Sequence, residues 1–281
     1  MQFTALIYKM EDEAFFTLLL DNKKVYFYLQ KHLVKTYGKY LRSGTYVTFE
    51  FLDKRTKHKG IYSYQVLYFY RICSLRNKFI HRTFYDLDNI REGIKNLVNA
   101  MNPILFIDFE MNMQDYKPIL NFEQEIIEAG MVLTNQKGAI RKMEHYFIKP
   151  TKFPRLTART MRFLDYNAND LKSAISFTKF YNRLKEINDT VHPYVIVWGK
   201  SDITQLEKCI AINGLKPLNL HFVNLLQLHI NYDNLANCPG LFSQYEAYTN
   251  TSLPSQTHDS LEDAMVTKDV FFLFKAKINR K

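Results

Sequence analysis

The sequence is poor in cysteine, with only Cys73, Cys209 and Cys238 among 281 residues. An odd number of cysteines placed far apart offers neither a disulfide framework nor a cysteine-rich zinc site, and a reducing compartment follows. Long apolar runs are also missing. The opening MQFTALIYKMEDE lacks a secretory-type stretch, and no window approaches the roughly 18 uncharged apolar residues of a membrane span. These absences predict a soluble, cytoplasmic protein. Repeats and low-complexity tracts are absent as well, and with 47% hydrophobic residues the composition is far from that of a disordered chain. Tryptophan occurs once, as Trp198. At a predicted strand end its expected role is packing rather than base stacking.

What the chain does have is positive charge, unevenly spread. Residues 1–100 carry 17 Lys+Arg against 9 Asp+Glu, a balance of +8, which leaves 21 against 19, or +2, for residues 101–281. A basic module is joined to a nearly neutral one, and the basic half suits a polyanionic partner.

The pattern changes near residue 100. Residues 1–72 read as five short strands, 3–9, 15–20, 24–29, 45–52 and 61–72, punctuated by Asp21-Asn22, Gly38, Gly44 and Gly60. In the last of these, alternation assigns Tyr62, Tyr64, Val66, Tyr68 and Tyr70 to one face, a tyrosine row. Lys54-Arg55-Thr56-Lys57-His58-Lys59 reads as the hairpin tip before it. Cations that track phosphate beside rings that stack on bases describe an oligonucleotide-binding (OB-like) barrel, with Lys54, Arg55, Lys57, Lys59, Tyr62 and Tyr64 as its nucleic-acid contacts. Another small β-domain with a solvated lysine turn satisfies the same pattern. A helix over 86–100 follows, with Ile90, Ile94, Leu97 and Val98 as its apolar stripe. The expected division is a basic β-barrel domain at 1–80, a linker helix at 81–102 and an α/β domain at 103–281.

From Ile104 onward the order is strand (104–109), strand (125–133), strand (140–149), helix (170–188), strand (194–197), helix (202–213) and a last helix (260–277). A hairpin followed by crossovers is the layout of a ribonuclease-H-like mixed β-sheet with flanking helices.

Asp108 and Glu110 stand two apart at the end of a buried strand, so a period of two turns both carboxylates to the same side. Paired hard oxygens suit Mg²⁺ or Mn²⁺ rather than zinc. An acidic pair at a strand end is common, however, and does not identify a metal site alone. Asp202 opens a helix directly after a strand, where it can serve as N-cap, as metal ligand, or as both. His258 precedes the last helix and Asp263 lies in its first turns. An imidazole with a near-neutral intrinsic pKa is suited to taking a proton from water.

In this order the segments resemble the DEDDh 3′–5′ exonucleases of the DnaQ-like, ribonuclease-H-like superfamily, and within them the ERI-1 and KapD-like branch. The resemblance covers about residues 103–275. It rests on Ile107-Asp108-Phe109-Glu110, then Glu125-Ile126-Ile127-Glu128-Ala129-Gly130, then Val197-Trp198-Gly199-Lys200-Ser201-Asp202, and last His258-Asp259-Ser260-Leu261-Glu262-Asp263-Ala264. It implies that Asp108, Glu110, Asp202 and Asp263 hold two divalent cations, Mg²⁺ or Mn²⁺, with His258 as general base. It further implies that Phe109, Met111 and Asn112 meet the substrate, Asn112 as a hydrogen-bond partner of the terminal sugar. Glu128, Asp259 and Glu262 are expected behind the ligands or in solvent. The implied reaction is hydrolysis at the 3′ end of a single strand, RNA favoured over DNA, with release of nucleoside 5′-monophosphates. A nucleic-acid-binding or regulatory protein on a nuclease fold, with little or no hydrolysis, is the alternative; it predicts an effect that survives alanine at Asp108.

Overall fold

A computed structural model of the chain describes residues 2–166, 170–252 and 258–280. The chain forms two compact units, one of residues 1–94 with 231–236, the other of residues 95–230 with 237–281.

The N-terminal unit contains β1 (Gln2–Leu6), β2 (Lys9–Asp12), β3 (Phe15–Leu20), β4 (Lys23–Tyr28), α1 (Lys31–Tyr37), β5 (Thr45–His58), β6 (Ile61–Arg76) and β7 (Phe79–Asp86), which leads into α2 (Leu87–Ala100). Its seven strands form one sheet in the order β1-β5-β6-β4-β3-β2, with β7 on β6. All pairings are antiparallel except β4 with β6, which is parallel. The two ends of that order, β1 and β2, are consecutive in the chain. Between them Ile7 N–H donates to Thr45 O at 2.8 Å, on the β5 side, and Tyr8 N–H donates to Thr17 O at 2.9 Å, on the β3 side. The sheet therefore curls. Its core is aromatic, with Phe16, Phe27, Phe49 and Phe69 fully buried.

Two sequence expectations fail here. Lys54 to His58 are part of β5, Arg55 to His58 pairing with Tyr64 to Ile61, and the turn is only Lys59-Gly60. Both turn residues have positive φ (48° and 85°), the backbone a two-residue hairpin turn demands, so the tip is tighter than the lysine run suggests. The tyrosine row is also broken. Register shifts between Thr48/Phe49 and Glu50/Phe51 place extra residues in β6, so buried positions recur every third residue (Ser63, Val66, Phe69, Ile72). Tyr64 packs into the core against Phe27 and Phe51, Tyr62 stands in solvent, and Tyr68 and Tyr70 both donate to Glu50 Oε2, at 2.6 and 3.1 Å.

The C-terminal unit contains β8 (Ile104–Met111), β9 (Ile126–Thr134), β10 (Ile140–Lys149), α3 (Ala158–Phe163), β11 (Ile175–Ser176), α4 (Phe177–Val191), β12 (Tyr194–Val197), α5 (Ser201–Ile212), β13 (His221–Asn224), α6 (Leu225–Asp233), α7 (Leu241–Thr249) and α8 (Ser260–Asn279). The sheet order is β11-β10-β9-β8-β12-β13, antiparallel through β8, β9 and β10 and parallel from β8 to β12 and β13. This is the expected ribonuclease-H-like mixed sheet. Alternation along β8 sets its two faces. Leu105, Ile107 and Phe109 join the core beneath α4 and α5, and Phe106 meets Phe271 of α8 at 5.5 Å on the other side. Asp108 and Glu110 share the face of Phe106. The helix expected over 170–188 is a 3₁₀ turn at Asp170–Ser173, two strand residues, and then α4, which starts where Ser176 Oγ caps Lys179 N–H at 3.2 Å. Among the described residues no helix is long and apolar enough to cross a membrane.

Candidate active site

Strand β8 delivers the first two acids. Its last residues pair with β9 so that Asp108 lies opposite Gly130 and Glu110 opposite Glu128. Gly130 is required by a close approach, since a Cβ there would lie 2.2 Å from Ser260 O. The missing side chain lets the start of α8 settle directly on β9 beside the acid pair.

Asp202 arrives from the β12–α5 turn. Gly199, with φ 97°, makes the turn, and its N–H donates to Asn224 Oδ1 at 3.2 Å. The α5 N-cap is Lys200, so the N-cap reading of Asp202 does not hold. The Asp202 carboxylate reaches β8 instead, where Oδ1 accepts the Phe109 N–H at 3.2 Å, and Oδ2 accepts from Ser201 Oγ at 3.3 Å. Asp202 and Asp263 are each only 4% exposed, far below the norm for carboxylates.

The start of α8 supplies the remaining groups. Asp259 caps it, accepting Glu262 N–H at 2.9 Å, and Asp263 follows one turn later. His258 precedes the cap with φ 55°, a left-handed conformation that costs a residue with a Cβ about 1–2 kcal/mol. Its ring lies against Phe163 (centroids 4.3 Å apart), and its Nδ1 is 3.8 Å from Glu110 Oε1. Ligand atoms of Glu110, His258 and Asp263 lie within 4.8 Å of one another.

Electrostatics marks the same cluster. Burial, then Asp202, Asp263, Glu110 and Glu128, push the Asp108 carboxyl well above the usual range. Glu110 is pushed up to about 8 by burial and then by Asp263, Glu128 and Asp202. Asp202 is raised to about 6 by burial, against the hydrogen bonds from its own N–H, Phe109 N–H and Ser201. Four like charges brought this close repel unless a cation neutralises them, so this hard-oxygen donor set fits divalent metal ions. Burial lowers the His258 pKa, which keeps the imidazole neutral and able to accept a proton.

Other expected positions are occupied differently. Phe109 is core, 3% exposed and edge-on to Phe180 at 5.9 Å. Met111 is half-buried against the same core. Asn112 is 1% exposed and its Oδ1 accepts Glu125 N–H at 2.7 Å, so this oxygen is held inside the β8–β9 junction. The sequence reading missed His145. On β10, its Nε2 lies 2.6 Å from Glu128 Oε1, which also accepts Ser260 N–H (3.0 Å) and Oγ–H (2.9 Å). Glu128 is thus a buried anchor for the first residue of α8. The signal was a histidine two positions from the strand-pair partner of a buried glutamate, visible only once β9 and β10 are in register.

Residues 105–271 match the model of the RNase T family, described as exonuclease. The probable 3′–5′ exonuclease KapD of Bacillus subtilis (strain 168) is 30% identical over 175 residues, 61% of this chain and 84% of that protein. This chain belongs to the DEDDh 3′–5′ exonuclease family. The exonuclease fold is shared with solved structures. The nuclease domain of 3′hExo bound to rAMP superposes with a TM-score of 0.55 at 15% identity, covering 64% of this chain and 94% of that one. Cell-death related nuclease 4 gives 0.53 at 14% identity, covering 64% of each chain.

Proposed function

We propose that this exonuclease uses Mg²⁺ or Mn²⁺ to hydrolyse the last phosphodiester at the 3′ end of single-stranded nucleic acid, RNA in preference to DNA, and releases nucleoside 5′-monophosphates. The observation that carries the reading is the convergence of Asp108, Glu110, Asp202 and Asp263 with His258 from three elements distant in sequence. The four carboxylates would hold two cations, Asp108 serving both. Two bound divalent ions supply an activated water and stabilisation of the leaving 3′ oxygen. The neutral His258 accepts the water's proton at Nε2, the ring nitrogen other than the one beside Glu110. Phe163 fixes that ring by packing on it. Phe109 acts through its N–H on Asp202, and Met111 is the substrate-facing candidate that its half-exposure supports. For Asn112 the remaining route to the terminal sugar is its side-chain amide N–H₂, because its Oδ1 is engaged.

In this reading residues 1–80 form an OB-like barrel that holds the strand, 81–102 connect, and 103–281 carry the chemistry. Support for the barrel comes from the strand order, the parallel β4–β6 pair and the helix between β4 and β5. Lys54, Arg55 and Lys57, exposed along β5, and Tyr62 are its contacts. Lys59, paired with Asp12 at 2.9 Å, and the core residue Tyr64, under Arg55, contribute less directly. The preference for RNA draws on structural neighbours, a 3′-exonuclease that recognises a histone mRNA stem-loop and a nuclease domain bound to rAMP, set against an exonuclease in complex with single-stranded DNA.

A time course with 5′-labelled RNA and DNA of one sequence, with Mg²⁺ or Mn²⁺, tests this. A ladder shortening from the 3′ end and absent in Asp108→Asn is expected. Intact strands bound tightly would overturn it in favour of a binding protein.

A further inference from the structure

We infer that the N-terminal unit carries a second cationic surface, built by Lys39, Arg42 and Arg82 around Tyr40 and Phe84, that grips the phosphate backbone of a single strand without reading its bases. It lies at the end of the β5–β6 ribbon opposite the Lys59-Gly60 turn. There Ser74 of β6 pairs with Thr45 on one side and Arg82 of β7 on the other, while Arg42 N–H donates to Thr45 Oγ1 at 3.3 Å. Tyr40 and Phe84 stack with centroids 5.6 Å apart and planes 18° from parallel. The Arg82 and Arg42 guanidinium carbons lie 5.4 and 5.9 Å from the Phe84 centroid, and Lys39 Nζ lies 4.8 Å from that of Tyr40.

Two features give this patch its partner. The first is uncompensated charge. Neither the 31–49 segment nor the 74–85 segment contains an Asp or Glu, while together they carry Lys31, Lys35, Lys39, Arg42, Arg76, Lys78 and Arg82. Elsewhere in this unit Lys9, Lys59 and Arg71 pair with Glu11, Asp12 and Asp86. Among the described residues Lys39, Arg42 and Arg82 are exposed and in no ion pair. The second is geometry. The two rings stack on each other and cations cover them, so the rings hold guanidinium groups in place rather than offering faces to bases. What points to a ligand is a set of fixed N–H donors, the equipment for phosphate oxygens. Contacts of this kind position a strand and are indifferent to sequence.

This inference rests on nucleic acid being the substrate but not on its hydrolysis. The test therefore uses the full chain with Asp108→Asn, in chelator, so the strand is not consumed. Binding of a fluorescent 20-nucleotide RNA is followed by anisotropy across a salt series. Replacing Lys39, Arg42 and Arg82 together by Gln should weaken binding on the order of tenfold. It should flatten the slope of log K against log salt by about two, at roughly 0.7 per phosphate contact on a single strand. A charge-matched variant with Gln at Lys137, Lys185 and Lys268 should leave the slope unchanged. Homopolymers of different bases should weaken by the same factor. Equal effects of the two triple variants would overturn the inference, and so would a loss confined to one base. Should the triple variant fold poorly, Arg82→Gln alone should lower the slope by about 0.7, and an unchanged slope is again disproof. Absence of a 3′ ladder in the hydrolysis assay would leave this binding result standing.

Discussion

In the N-terminal unit the cations of the two basic patches stand in solvent, spread over ring faces or along β5, whereas in the C-terminal unit Asp202 and Asp263 are 4% exposed and gathered with Asp108 and Glu110. The first arrangement costs little, because water solvates each cation and the attraction for a polyanion adds over many weak contacts. The second is expensive, because burial raises the Asp108, Glu110 and Asp202 carboxyls and repulsion adds to it at Asp108 and Glu110. Clusters of this kind collect at sites where a cation or a reaction makes use of them. Affinity and chemistry should therefore respond separately to substitution.

The sharpest way to break this contrast is Asp108→Asn. Turnover should fall on the order of 10³-fold or more, while the chelated protein melts at a higher temperature because a buried acid that resists ionisation is gone. A variant that is both inactive and less stable would mean the cluster is not under mutual repulsion. Next, His258→Ala should cost about 10²- to 10³-fold in kcat. The rise in Tm produced by Mn²⁺ should persist, separating proton transfer from cation binding. Third, pH should act on stability in one direction. Glu110 titrates at about 8 in the folded protein against 4.5 ordinarily, and Asp202 at about 6 against 3.8. Between those limits the folded chain holds protons the unfolded chain has released, so stability falls as pH rises. Melting in chelator should drop from pH 5 to pH 8, and Mn²⁺ should restore more at pH 8. A flat profile would contradict the raised acids. The smallest effect should come from Gln at Lys54, Arg55 and Lys57, a few-fold rise in KM with kcat unchanged. A change in kcat instead would show that the two kinds of site are not separable.

Much of this site was legible because short-range periodicity is robust. The period of two that pairs Asp108 with Glu110 survives in β8, and the apolar stripe of the last helix runs from Ala264 through Val270 and Phe271 to Phe274. What escaped was structure set by partners distant in sequence. Bulges shift β6 against β5 and scatter the tyrosines that strict alternation aligns. The seven-residue α1 has no side-chain cap and is held by burying Leu33 and Tyr37, which local sequence does not announce. Strand β13 is four residues long and exists through its parallel pairing with β12. The anchoring role of Glu128 required knowing that Gly130 lets α8 approach. Asn112 failed as a simple sugar contact because the junction claims its oxygen, a packing demand no spacing rule carries.

The Ile7-Tyr8 junction has a practical consequence for handling the protein. Strands β1 and β2 cover the open sides of β5 and β3, which would otherwise be unpaired rows of N–H and C=O groups inviting strand addition from another molecule. A trimmed version lacking residues 2–12 would lose both covers at once. Its fate in concentrated solution would be intermolecular sheet growth and precipitation, even with every residue of the active-site cluster intact.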